Sequence, residues 1–104
     1  MGMVFLRKYF LGLLAEAYLQ LGAVEEATTA IDEALARIAT SVDRFYNPEI
    51  YRMKGELLRL TGNSEAEAEQ YFQKAISVAQ EYGAKWFELR ATCSLVRLWQ
   101  SQGK

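Results

Sequence analysis

Leu13–Ala27 reads LLAEAYLQLGAVEEA. A leucine-rich run with helical spacing stops at Gly22 and restarts at Val24, so the stretch encodes two helices and the corner between them. Lys54–Ala68, KGELLRLTGNSEAEA, does the same about Gly62, and Leu95–Lys104, LVRLWQSQGK, approaches a further glycine at Gly103. These glycines stand 40 and 41 residues apart, and the match extends around them. Tyr18, Leu58 and Trp99 each precede their glycine by four residues; Ala15, Gly55 and Val96 precede it by seven. After the corner, Ala27/Ala68, Ile31/Phe72 and Ala34/Ala75 fall in register. A period of this size built on a two-helix unit is the signature of a stacked repeat.

Working outward, the rest of the chain is helical in pattern. Val24, Ala27, Ile31, Ala34 and Ile38 form one apolar stripe, and Ala68, Phe72, Ala75, Ala79 and Tyr82 another, each opposite charged residues. Residues 49–61 carry two stripes, Ile50, Met53, Leu57 and Leu60 on one side and Tyr51, Gly55 and Leu58 on the other, so this helix is expected between neighbours. Gly22, Gly62 and Gly83 supply left-handed C-caps. Asn47 before Pro48 reads as an N-cap, Tyr46 and Tyr51 as a hydrophobic staple, and Ser64 with Glu67 as a capping box. The expectation is five helices at about 3–21, 24–40, 48–61, 65–82 and 85–102, with no strand.

The phrases LLAEAYLQLG, YRMKGELLRLTGNSEAEAEQYFQKAI and GAKWFELRATCSLVRLW carry a small residue, a large one and a glycine, then alanine, a large residue and alanine. This order resembles the tetratricopeptide repeat over essentially the whole chain. The phrases also look similar to the long C-terminal repeats of bacterial multidomain signalling proteins that join a cyclase or transcription-factor module to a predicted ATPase. Two features depart from the family pattern: the unit exceeds the usual 34 residues, and the proline after the second helix is missing. The resemblance implies an all-α, right-handed α-α superhelix of about two and a half repeats in a single domain, 1–104. Repeat 1 spans about 3–40, repeat 2 about 47–83 and a partial repeat 3 about 85–104. In packing terms, Ala15 and Gly55 meet Ala27, Ala34, Ala68 and Ala75 where two helices approach closely.

Bulk properties narrow the function. A net charge of −1 gives no general attraction to nucleic acid or to a membrane surface. One cysteine allows no internal disulfide, so an intracellular, cytoplasmic location is expected. The apolar start is interrupted by Arg7 and Lys8, unlike a signal peptide, and Val4-Phe5-Leu6 lacks the serine or threonine of a myristoylation motif. With no histidine, the commonest general base and metal ligand is missing. Cys93 shares a stripe with Trp86, Leu89 and Val96 and reads as a buried structural thiol rather than a nucleophile. Glu65, Glu67 and Glu69 point in different directions and suit a helix start better than a metal. TGNS and LGAV are lone glycine turns without the pattern of a phosphate-binding loop. Neither an enzyme nor a cofactor is expected.

What remains is recognition of a protein or peptide. The family groove maps onto Tyr9, Glu16 and Gln20, then Glu49, Arg52, Glu56 and Arg59, then Arg90, Arg97 and Gln100. Family members that clamp a terminal carboxylate use lysine and asparagine; here Arg52 fills a lysine-like place and Glu16 and Glu56 replace the asparagines. The function implied is a non-catalytic interaction scaffold at the C-terminal end of a larger signalling protein. The alternative is a self-association element, a homodimer formed through helix faces left uncovered at either end: Val4, Phe5, Tyr9 and Phe10, and Phe87, Leu95, Leu98 and Trp99.

Overall fold

The computed structural model describes residues 2–40, 44–62 and 64–103, and the side chains of the first helix from Arg7 onward. Among them are five helices and no strand: α1 (Gly2–Leu21), α2 (Val24–Ile38), α3 (Asn47–Thr61), α4 (Glu65–Glu81) and α5 (Lys85–Ser101). The boundaries fall within two residues of the sequence expectation. Gly22, Gly62, Gly83 and Gly103 all take positive φ, 66 to 78°, the conformation that closes a last helical turn and that residues bearing a Cβ avoid.

The helices form two layers. α3 packs against α1 on one side and α5 on the other, while α2 covers α1 and α3, and α4 covers α3 and α5. The thinnest dimension of the molecule, 19 Å, allows two layers of helices and not three. The core follows this division. Leu11 and Ala15 of α1, Ala27, Ile31 and Ala34 of α2, and Ile50, Met53 and Leu57 of α3 make one cluster. Ala68 and Phe72 of α4 with Leu95 and Leu98 of α5 make the second, closed by Leu58, Ile76 and Trp99. α3 is therefore apolar on two sides because it serves both clusters; Leu60, assigned to one stripe, is instead exposed.

Close approach is enforced by small residues. Ala15, Ala27, Ala34, Ala68 and Ala75 are buried, and the ring of Phe72 lies against Gly55, where a Cβ would come within 2.5 Å of it. Two local readings are corrected. Asn47 does not cap α3: it is the first helical residue, the N-cap is Tyr46, and the Asn47 Oδ1 accepts a 2.7 Å hydrogen bond from the buried Lys8 Nζ of α1. Tyr46 lies edge-on to Tyr9 and Phe87, while Tyr51 stacks on Tyr71 under Lys74, so the two tyrosines serve separate contacts. The Ser64 cap holds: its Oγ accepts from the Glu67 N–H at 3.1 Å. No helix of the described residues is long and apolar enough to cross a membrane.

Candidate functional site

On the side away from α2 and α4, helices α1, α3 and α5 form a trough. Helical spacing places Glu49, Arg52, Glu56 and Arg59 on one face of α3, and Arg90 and Arg97, seven apart, on one face of α5. A cavity of about 440 Å³ is lined by Glu16 and Gln20 of α1, Arg52, Glu56 and Arg59 of α3, and Arg90 and Arg97 of α5. Leu19 and Leu60 add apolar surface to it. Tyr9, Glu49 and Gln100 lie outside this lining. Tyr9 instead packs on Tyr46, Gln100 is exposed at the end of α5, and Glu49 sits beneath the floor, 2% exposed.

The charges in the trough are engaged with one another. Arg52 holds Glu49 with two parallel bonds, Nε to Oε2 at 3.1 Å and Nη2 to Oε1 at 3.2 Å, and its Nη2 is 3.7 Å from Glu16. Arg90 donates to Glu16 at 2.9 Å and lies 3.4 Å from Glu49. On the next turn, Arg59 donates to Glu56 at 2.9 Å, Ser94 donates to the other oxygen of Glu56 at 2.8 Å, and Arg97 lies 3.6 Å from that oxygen. The first of these clusters ties α1, α3 and α5 together, and the second joins α3 to α5. Four arginines face three glutamates, which leaves a single net positive charge.

Burial makes part of this network structural. Arg52 is only 6% exposed. Burial opposes its charge, but hydrogen bonding to Glu49 and the fields of Glu49, Glu16 and Glu56 outweigh it and raise its pKa. Tyr46, at the edge of the same region, has its hydroxyl pushed up to about 12, first by burial and then by the nearby charges of Glu49 and Glu16. Reversing Arg52 or Arg90 is therefore not neutral for the fold, as a solvated wall would allow, because buried Glu49 would lose a partner. Arg59 and Arg97 differ: their side chains are 39% and 64% exposed and each retains donors directed at solvent.

Sequence reasoning missed Ser94, which is fully buried and joins α5 to Glu56. The signal for it was a hydroxyl placed among Ala91, Leu95 and Leu98 on the inward face of α5.

The faces expected to be bare are also corrected. Leu95 and Leu98 are buried, Trp99 is half-buried in the second core, and Phe87 packs edge-on against Phe45 and Tyr46. The uncovered face of α5 is the opposite one, Trp86, Leu89, Cys93 and Val96; Cys93 is exposed, not a buried thiol. α5 has apolar residues on both sides, and periodicity alone does not say which side faces inward. On α1, Tyr9 and Phe10 are exposed, whereas Val4 and Phe5 lie outside the described side chains.

No family model, curated protein or solved structure matches this chain.

Proposed function

We propose that the chain is a non-catalytic helical-repeat module of the tetratricopeptide kind, which holds a segment of a partner protein in the trough of α1, α3 and α5. In this reading the two helix hairpins and α5 are two and a half repeats of a right-handed superhelix, and the module is the scaffold region of a larger bacterial signalling protein. The observation that carries it is the shared layer of α1, α3 and α5, with polar residues of all three converging on one concave surface. Arg59 and Arg97 can release or share Glu56 and fork onto a carboxylate of the bound segment, while Leu19 and Leu60 accept an apolar side chain. The trough's carboxylates are held in ion pairs and the chain has no histidine, so recognition fits these residues better than proton transfer.

The test is co-purification from an extract of the source cell with the wild-type chain and with the double variant Arg59→Glu/Arg97→Glu. Both arginine side chains are exposed, but Glu56 is buried and loses both its cations, so the variant is expected to melt lower than wild type, and loss of the partner is read at a temperature where its helical spectrum is intact. A folded double variant that retains every partner would sink the trough reading.

A specific observation favours self-association as the second reading. Phe10, Leu13 and Leu21 are exposed along one side of α1, an apolar face that a twofold pairing of α1 with its copy would cover. Light scattering at tens of micromolar, with Leu13→Glu as the control, decides it: a monomeric wild-type mass would end this reading.

A further inference from the structure

On the face opposite the trough, α2 and α4 do not touch one another, and the gap between them opens onto the start of α3. A cavity of about 260 Å³ lies there. It is lined by the end of α2, by Arg44 ahead of α3, by Asn47 and Tyr51 on α3, and by Lys74, Glu81 and Tyr82 along α4 and its cap. Its walls are three consecutive helices, α2 to α4, each flanked by further helices of the chain. Its cations are uncommitted, unlike those of the trough. Arg7, Arg37 and Lys54, like the trough arginines, are each held by a carboxylate. Among the described residues Arg44 and Lys74 are in no ion pair: the Arg44 Nη1 donates to the Tyr82 hydroxyl at 3.2 Å, and the Lys74 Nζ lies 5.4 Å from the centre of the Tyr51 ring. The Tyr82 oxygen accepts that bond and keeps its own proton to donate. Asn47 has its oxygen taken by Lys8, which leaves it an NH2 donor. Tyr51 adds a second hydroxyl, and Glu81 is the one carboxylate in the lining.

We propose that this cavity binds a small phosphate monoester between Arg44 and Lys74. The lining is rich in donors, so the ligand must bring acceptors. Glu81 stands beside two cations and is in an ion pair with neither, so a ligand that gathers both must carry more charge and more acceptors than one carboxylate. A phosphate monoester does: at neutral pH it carries a charge of about −1.5 to −2 and three strong acceptor oxygens. Arg44 can fork onto two of those oxygens, and Lys74, a point charge on a flexible stem, can reach the third from its place over Tyr51. The hydroxyls of Tyr51 and Tyr82 supply the remaining donors. Size limits the rest of the ligand. The volume falls below the range of about 300–1,000 Å³ that takes drug-sized molecules, so the alcohol on the phosphate is a short one, of the size of glycerol. Because α2 and α4 flank the cavity, a free molecule reaches it more readily than a headgroup held in a bilayer. Bound there, the phosphate joins the segment after α2 to α4, two helices with no contact of their own.

Glycerol 3-phosphate titrated into isotope-labelled protein in a phosphate-free buffer tests this, with glycerol, acetate and phosphatidic acid vesicles as further arms. Saturable amide shifts are expected around Tyr51, Lys74 and Tyr82, with a Kd below about 1 mM. Glycerol should not bind, acetate should bind at least about tenfold more weakly because it offers a single charge, and the protein should not sediment with the vesicles. Arg44→Gln and Lys74→Gln, both at exposed residues, should each weaken binding by about tenfold with an unchanged helical spectrum. Arg59→Glu, within the trough, should leave it unchanged, so the trough reading stands or falls separately. The proposal is overturned if no saturable shift appears by about 10 mM, if acetate matches glycerol 3-phosphate, or if either variant binds as tightly as wild type. Sedimentation with the vesicles that Lys74→Gln abolishes would also overturn it, because the phosphate would then belong to a lipid.

Discussion

Gly55→Ala sets two well-understood effects against each other at the closest helix contact. In an exposed helix, replacing glycine by alanine stabilises by about 1 kcal/mol through backbone propensity. At Gly55 the new methyl would stand 2.5, 2.7 and 3.0 Å from three atoms of the Phe72 ring. Carbon–carbon contacts settle near 3.5–4.0 Å, so the ring or the helix must yield by roughly 1 Å. Phe72 is fully buried on α4 and packed in the core with Leu58 of α3 and Leu95 and Leu98 of α5, so the ring cannot turn out to solvent. Overpacking of this kind costs about 1–3 kcal/mol. Net destabilisation of about 1 kcal/mol is expected, a fall in Tm of roughly 4–8 °C for a chain of this size. Thermal melts followed by circular dichroism should show it. In a Phe72→Leu background the methyl has room, so Gly55→Ala should there raise the Tm. A rise in the wild-type background would refute the close contact on which the α3–α4 packing rests.

Arg52→Ala should cost about 3 kcal/mol in urea denaturation, because Glu49 would stay buried with Arg90 at 3.4 Å as its remaining cation; Arg97→Ala should cost no more than about 1 kcal/mol. Tyr46 is the alkaline sensor. Its folded pKa lies above the unfolded value, so its contribution to stability is complete below pH 10 and is lost as pH rises from 10 towards 12, and Tyr46→Phe should flatten that part of the stability profile. Tyrosinate absorbance should show a step near pH 12 that Tyr46→Phe removes. Ala34→Leu and Ala75→Leu, at buried helix contacts, should each lower stability by about 1–3 kcal/mol, measured by the same denaturation.

Features set by neighbouring residues were legible in the sequence. The glycine corners, the Ser64 cap and the two-sided apolar pattern of α3 each depend on spacings of a few residues, and each stands where it was expected, apart from Leu60 at the exposed end of α3. Features set by distant partners were not. Asn47 has the composition of a cap, but its side chain is taken by Lys8, 39 residues away, and no local rule anticipates that bond. Cys93 lies on an apolar stripe of a helix that has a second one, and which stripe turns inward depends on where α3 and α4 lie. The trough residues were identifiable as one face of α3, yet their burial was not: Glu49 and Arg52 are hidden because Arg90 and Glu16 arrive from the flanking helices to neutralise them.

The central claim, that α1, α3 and α5 together present a recognition surface, is tested most directly by amide chemical-shift mapping. A peptide selected from a random library on the full chain would be titrated into isotope-labelled protein. The account predicts shifts concentrated at Glu16, Gln20, Arg59, Leu60 and Arg97, with Arg59→Glu/Arg97→Glu weakening the binding by about tenfold or more. Shifts confined to the outer faces of α2 and α4, or binding indifferent to that double variant, would contradict it.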